Sequence, residues 1–165
     1  MKVQTGQIWN IREDEGYGMR MGAKPGLRLD SQARSGMGAG IRPRRLRVGE
    51  IMRRQVARAR PEDTLQAAAR LFRDEELSLL PICAGEILVG LVTERDLVIR
   101  AMALGSNPAA TLLQEVMTSN FFFCFEDQDC AAARQLMLEN HVQRMPVTDS
   151  SKRLVGMVRL EDLQR

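Results

Sequence analysis

The chain has 165 residues, of which 44% are apolar, 4% aromatic and 27% charged, and its formal net charge is +3. This is about one domain's worth of chain, with enough aliphatic side chains for a packed core and few rings to fill it. No apolar run approaches the ~18 residues of a membrane span and no apolar leader core opens the sequence, so a cytoplasmic protein without a membrane partner is expected.

Charge is unevenly spread. Residues 1–47 hold ten Lys/Arg against four Asp/Glu, a net of +6, whereas residues 48–165 hold fourteen against seventeen, a net of −3. The first 47 residues also carry eight of the 13 glycines, Trp9 and Tyr17. "GYGMRMGAKPG" and "RSGMGAGIRPRR" have turn and linker composition. So few apolar groups do not offset the entropy of ordering, and residues 1–46 are expected to be a disordered or loosely docked basic tail. Nucleic-acid contact through "RPRRLR" is the sharper alternative. It lacks interleaved aromatics or a known binding fold, so nucleic acid is not the expected partner.

From residue 47 onward the elements alternate. A short helical turn ends at Met52 and the extended stretch "QVARA" follows. "PEDT" is an acidic helix start, and the following residues place Leu65, Ala68, Ala69, Leu71 and Phe72 on one stripe. "LSLLPIC" reads as a strand, Gly85 as a turn, "ILVGLV" as a returning strand, and "VTERD" as the entry to a last helix near 94–104. The connection "RAMALGSNPAAT" leads to a second short helix ending at Met117 and to "NFFFCF", read as a buried strand. "EDQD" then opens a helix, "VQRMPVT" and "RLVGMV" form a hairpin around Asp149-Ser-Ser, and a final helix starts near Asp162.

The second set repeats the first. At an offset of 65, "VGEIM" falls on "LQEVM", Ala67-Ala68 on Ala132-Ala133 and Leu80-Pro81 on Met145-Pro146. One extra residue then enters at the hairpin turn, where insertion is tolerated. At an offset of 66, "LVGLVTERDL" falls on "LVGMVRLEDL" with six of ten positions identical. Each unit is too small to bury a sheet face alone. The expected fold is therefore α/β (α+β): a tail over 1–46 and two β-α-β-β-α repeats, over 47–110 and 111–165, packed sheet to sheet about a pseudo-twofold axis.

The ordered set "EIM…PEDTLQAA…LPI…LVGLVTERDL", in duplicate with both proline positions, resembles a tandem CBS-domain pair, or Bateman module, over roughly residues 46–165. The resemblance implies two clefts between the repeats, each lined by Gly-x-x-[ST]-x-x-Asp. The Asp takes ribose hydroxyls, and the Ser/Thr hydroxyl lies near ribose or phosphate. Carried over by position, the first motif is Gly90, Thr93 and Asp96. The second keeps Gly156 and Asp162 but has Arg159 in place of the hydroxyl. Arg144, just before the second strand, falls where phosphate is met, and Arg144 with Arg159 would suit a polyphosphate. Thr93 and Asp96 fit a helix-capping box equally well. Asp96 is expected to be the better-occupied position, since the helix at Asp162 is short. The implied ligands are AMP, ADP, ATP, NAD or S-adenosylmethionine, none of them a required cofactor.

No nucleophile, base and oxyanion donor come together in the sequence, so no enzyme is expected. The odd set Cys83, Cys124 and Cys130 reads as buried, reduced thiols. Cys124, Cys130 and His141 match no metal spacing, and His141 reads as a helix-end cation. The resemblance implies a homodimer. Leu97, Val98, Ala101, Met102 and Leu104, with the short helices at Met52 and Met117, are expected to supply its apolar face. Two other readings compete with a nucleotide-sensing module: a ligand-free dimerisation or partner-binding module, and nucleic-acid binding through the tail.

Overall fold

A computed structural model describes residues 45–164, so the expectation for the basic tail lies, for residues 1–44, outside the described residues. The chain begins with α1 (Val48–Ile51), α2 (Leu65–Asp74), β1 (Leu79–Ala84) and β2 (Ile87–Thr93). A helical stretch follows: α3 (Glu94–Asp96), one wide π turn over Leu97–Ala101 and a 3-10 turn over Met102–Leu104. After a 3-10 turn at Leu113–Glu115 come β3 (Cys124–Phe125), α4 (Cys130–Glu139), β4 (Arg144–Thr148) and β5 (Leu154–Arg159), and a 3-10 turn over Leu160–Gln164.

Local chemistry sets the ends of the two long helices. The Thr64 hydroxyl accepts from the Ala67 N–H at 3.2 Å and the Asp129 carboxylate accepts from the Ala131 N–H at 2.9 Å, so each helix start has a side-chain partner for a free amide. Both helices end in the left-handed region on a residue that is not glycine: Glu76 at φ 49° and His141 at φ 54°. His141 is therefore a helix-terminating residue, and it is exposed.

β1 and β2 form one antiparallel hairpin. β3, β4 and β5 form a three-stranded sheet, with β3 parallel to β4 and β4 antiparallel to β5. The leading strands are shorter than expected. "QVARA" is reduced to a parallel bridge between Ala59 and Ile82, and only Cys124–Phe125 of "NFFFCF" joins a ladder. The extra residue in the second hairpin falls in the turn: Gly85 turns the first at φ 63°, and Lys152 turns the second at the same angle. Asp149 closes the second turn by accepting from the N–H groups of Ser151 and Arg153 and from Arg153 Nε. The Arg153 backbone N–H, joined by its guanidinium, holds the Asp149 carboxyl below its ordinary range. The two hairpins meet edge to edge here, through Leu88 N–H to Lys152 O, Leu154 N–H to Glu86 O, and an Arg153–Glu86 ion pair at 3.7 Å.

The short helices do not pack where sequence order suggests. Val48 and Met52 are buried in the core of the second repeat, among Ala133, Met137, Met145 and Val158. Leu113 and Val116 are buried in the core of the first, among Leu65, Phe72, Leu80 and Val92. Each lead segment is thus exchanged onto the other repeat, and the backbone bonds match across the pseudo-twofold. Val48 N–H donates to Gln128 O at 3.0 Å and Leu113 N–H to Asp63 O at 2.9 Å; Cys130 N–H donates to Leu46 O and Leu65 N–H to Thr111 O. Arg53 pairs with Met157 and Thr118 with Leu91, each antiparallel. A third core layer of Cys83, Leu88, Phe121 and Phe123 lies between the repeats.

All three described cysteines are buried and unpaired. Burial pushes the Cys83 thiol up to about 11 and the Cys124 thiol up to about 12, and it also raises that of Cys130. At neutral pH they are protonated and act as small apolar groups.

The exchange also explains the two motif glycines. A Cβ on Gly156 would lie 2.6 Å from Met52 Sδ and 2.8 Å from the Arg53 carbonyl oxygen, and one on Gly90 would lie 2.5 Å from Met117 Sδ with no backbone atom among its near neighbours. Gly156→Ala is therefore expected to destabilise by about 2–3 kcal/mol, because backbone must shift. Gly90→Ala should cost less, about 1 kcal/mol, because a methionine end can swing away. Urea unfolding of both variants checks this; equal costs would contradict the packing described.

Candidate ligand clefts between the repeats

The two copies of the motif sit at equivalent places but in different states. In the first, Thr93 ends β2 and caps α3. The Asp96 N–H donates to Thr93 Oγ1 at 3.2 Å, while Asp96 Oδ2 accepts from the Thr93 N–H at 2.8 Å and from the Thr93 hydroxyl at 2.7 Å. The other carboxylate oxygen of Asp96 lies 3.4 Å from Arg100 Nε. The wide turn at Leu97–Ala101 also brings Arg100 NH1 to the Val116 carbonyl at 2.9 Å and the Thr118 hydroxyl at 3.0 Å. Both oxygens of Asp96 are engaged internally, and the capping box anticipated from Thr-x-x-Asp is present.

In the second copy Arg159 stands at the cap position and its NH1 pairs with Glu161 Oε1 at 3.0 Å. Asp162 is half-buried, and no hydrogen bond or ion pair to its carboxylate is seen among the described residues. Arg144 is the cross-strand partner of Arg159 in the β4–β5 ladder, so the two predicted phosphate residues lie side by side on one face. Alternation along β5 puts Gly156 and Val158 toward the helix-side core and Met157 and Arg159 on the opposite face, toward the other repeat.

The cleft beside this second copy is open. A cavity of ≈ 280 Å³ lies between Arg54, Gln55, Val56 and Arg58 of the first repeat and Leu154, Val155 and Gly156 of β5. At the offset of 65, Val56 corresponds to Phe121 and Arg58 to Phe123. In the first cleft those two rings are buried, at 4% and 3% exposure. They pack edge to face, Phe121 on Phe123 at 6.4 Å and Phe123 on Phe125 at 5.5 Å between centroids. Rings fill one cleft where Val and Arg line the other. The open cleft thus adjoins the second motif, through Gly156.

Of the anticipated residues, the structure brings Gly90, Thr93 and Asp96 together at the β2–α3 junction, and Arg144 and Arg159 together on β4 and β5. It does not join the two sets. Arg54, Gln55, Val56 and Arg58 were not among the expected site residues. The signal for them is "RRQVARAR", an extended stretch whose arginines have no counterpart in "NFFFCF". Among the described residues no three His, Cys, Asp or Glu side chains gather as a metal site. No described helix is long and apolar enough to cross a membrane.

Comparison with known proteins agrees with this architecture. Residues 48–102 and 113–165 each match the CBS domain family. A CBS domain-containing protein of Bacillus subtilis, YhcV, is 33% identical over 116 residues, covering 70% of this chain and 81% of that protein. The crystal structure of Hypoxic Response Protein I with two coordinated zinc ions is similar at a TM-score of 0.65 and 30% identity, over 72% of this chain and 96% of that one. The CBS domain pair of protein MJ0100, in complex with 5-methylthioadenosine and S-adenosyl-L-methionine, is similar at a TM-score of 0.63 and 26% identity, over 73% and 94%. The match spans only 62% of the length of a Methanopyrus kandleri relative and 23% of an inosine-5'-monophosphate dehydrogenase from Korarchaeum cryptofilum. Two family matches in series, on two repeats that exchange their lead segments, make the chain a tandem-pair member of the CBS domain family.

Proposed function

We propose that the chain is a non-catalytic regulatory module that binds an adenine nucleotide or related adenosyl ligand between its repeats. The observation that carries this reading is the open cleft between residues 54–58 and β5, at the edge of the motif that ends in Asp162. A volume of ≈ 280 Å³ suits a nucleoside-sized group. The bound adenosyl ligands of the MJ0100 pair support the ligand class. A ligand seated there touches both repeats at once, so it favours their closed arrangement over any in which they part. Differential affinity of that kind is what a sensor needs. The protonated, unpaired thiols fit a reducing, cytoplasmic setting.

Thermal unfolding against AMP, ADP, ATP, NAD and S-adenosylmethionine tests the reading. A ligand at 100 times its dissociation constant is expected to add about 2.7 kcal/mol, or on the order of 8 °C in Tm. An unchanged Tm across the panel would favour a module that works through protein contacts alone.

Dimerisation belongs to the same proposal. Val98, Ile99, Met102 and Leu104 are 54%, 49%, 68% and 78% exposed, a contiguous apolar strip on the helical stretch after β2. Its make-up differs from that expected. Leu97 and Ala101 turn inward, Met52 and Met117 cover the motif glycines, and Ile99 joins the exposed face. Light scattering at tens of micromolar should give a dimer mass, and Met102→Glu with Leu104→Glu should give a monomer. A monomeric parent chain would refute this part. Of "RPRRLR", residues 42–44 lie outside the described residues, while Arg45 lies 4.0 Å from Asp129, Leu46 packs on the second core and Arg47 bonds to Asp127 O, so the described arginines are turned to the protein itself.

A further inference from the structure

We propose that the two clefts have separate fates: the second takes one anionic nucleotide, a nucleoside polyphosphate, per chain, and the first is closed by the chain's own side chains. This deepens the nucleotide reading above and rests on it.

The first cleft already contains what a ligand would bring. Arg100 occupies the carboxylate of Asp96, and its other nitrogen is tied to Val116 O and Thr118 Oγ1. The Thr93 hydroxyl is both donor to and acceptor from Asp96. Phe121 and Phe123 fill the base end and are anchored to Leu88 and Cys83 in the layer between the repeats. A nucleotide entering here would have to disrupt this ion pair and these four hydrogen bonds and expel two buried rings. Each part is a separate cost.

The second cleft is open and its polar groups are spare. Asp162 has no hydrogen-bond or ion-pair partner among the described residues, and neither do Arg58 and Arg144. Arg54 makes one bond, NH2 to Gly49 O at 3.1 Å, and Arg159 is paired with an exposed glutamate. Arg144 and Arg159 face each other across β4 and β5, a like-charge juxtaposition that costs free energy unless an anion lies between them. The run of β5 from Gly156, at the cavity, to Arg159 is about 10 Å at ~3.4 Å per residue. That is on the order of the reach from a base to a β- or γ-phosphate. A base held beside Val56 and the β5 backbone has the Arg144–Arg159 pair within the reach of its phosphates, with the Asp162 carboxylate free for ribose hydroxyls. Arg54 and Arg58 line the cavity, and Arg144 and Arg159 pair at the end of the β4–β5 ladder beyond it; this run of positive charge selects a polyanion over a neutral nucleoside or a sulfonium cation.

Calorimetric titration of the full chain with ATP, adenosine and S-adenosylmethionine tests the proposal. ATP is expected to bind with one site per chain, more tightly than the other two, and to weaken as salt rises. Arg144→Ala and Asp162→Asn should each weaken ATP by about tenfold or more, with adenosine unaffected by Arg144→Ala. Asp96→Asn should leave ATP affinity and stoichiometry unchanged. Thermal unfolding of each variant confirms that it is folded, and Arg58→Ala, on an exposed residue at the cavity, serves as the second variant should Asp162→Asn misfold. Two sites per chain, adenosine as tight as ATP, or loss of ATP binding in Asp96→Asn would overturn the assignment while leaving a nucleotide sensor in place. If no ligand of the panel binds, the sensor reading falls and this assignment with it.

Discussion

Two chain segments, 48–53 and 113–118, each lie on the repeat they do not precede, and the other features depend on this exchange. Val48 and Met52 complete one core and Leu113 and Val116 the other, so neither repeat has a full core of its own. A methionine from the exchanged segment presses on each strand at Gly90 and Gly156, and at Gly156 the Arg53 carbonyl leaves no room for a Cβ. The exchange also brings residues 54–58 alongside β5, and residues 119–123 alongside β2, which creates the clefts. The clefts between the repeats are a by-product of how the cores are closed.

Duplication placed two clefts under equivalent backbones, and side-chain substitution then separated them. Val56 and Arg58 stand where Phe121 and Phe123 stand, and Arg144 and Arg159 where Leu79 and Thr93 stand. One set fills volume and completes a cap; the other leaves volume and gathers charge. Edge-to-face packing of Phe121 on Phe123 and of Phe123 on Phe125 stabilises the first cleft without a ligand, at roughly 0.5–1.5 kcal/mol per ring pair beyond area alone. Of the facing arginines, Arg159 has Glu161 as a counter-charge, and Arg144 has no ion-pair partner among the described residues.

Much of the fold was legible in the sequence because its signals are local. The 65-residue offset, the caps at Thr64 and Asp129, the inserted residue at the second hairpin turn and the Thr93–Asp96 box are each set by near neighbours in the chain. The exchange was not legible, since "VGEIM" carries the same apolar pattern whichever core receives it. Nor was the role of Arg100. Its i, i+4 relation to Asp96 is visible, but its hold on Val116 and Thr118 crosses more than ten residues and needs the folded chain. The choice between clefts was partly legible: the same offset that aligns the motifs sets Val56 against Phe121. Motif completeness favours Asp96, whereas the proposal for Asp162 rests on cavity space and unpaired charge, which only the folded chain displays. A motif can be intact because it caps a helix.

The asymmetry is most directly tested with the methionines that sit under each cleft. Met52 packs on Gly156 and Met117 on Gly90, so each reports on one cleft. In a chain labelled at the methionine methyl carbons, titration with ATP is expected to shift the Met52 and Met157 resonances and leave Met117 in place. A Met117 shift equal to that of Met52, saturating over the same range, would contradict the account.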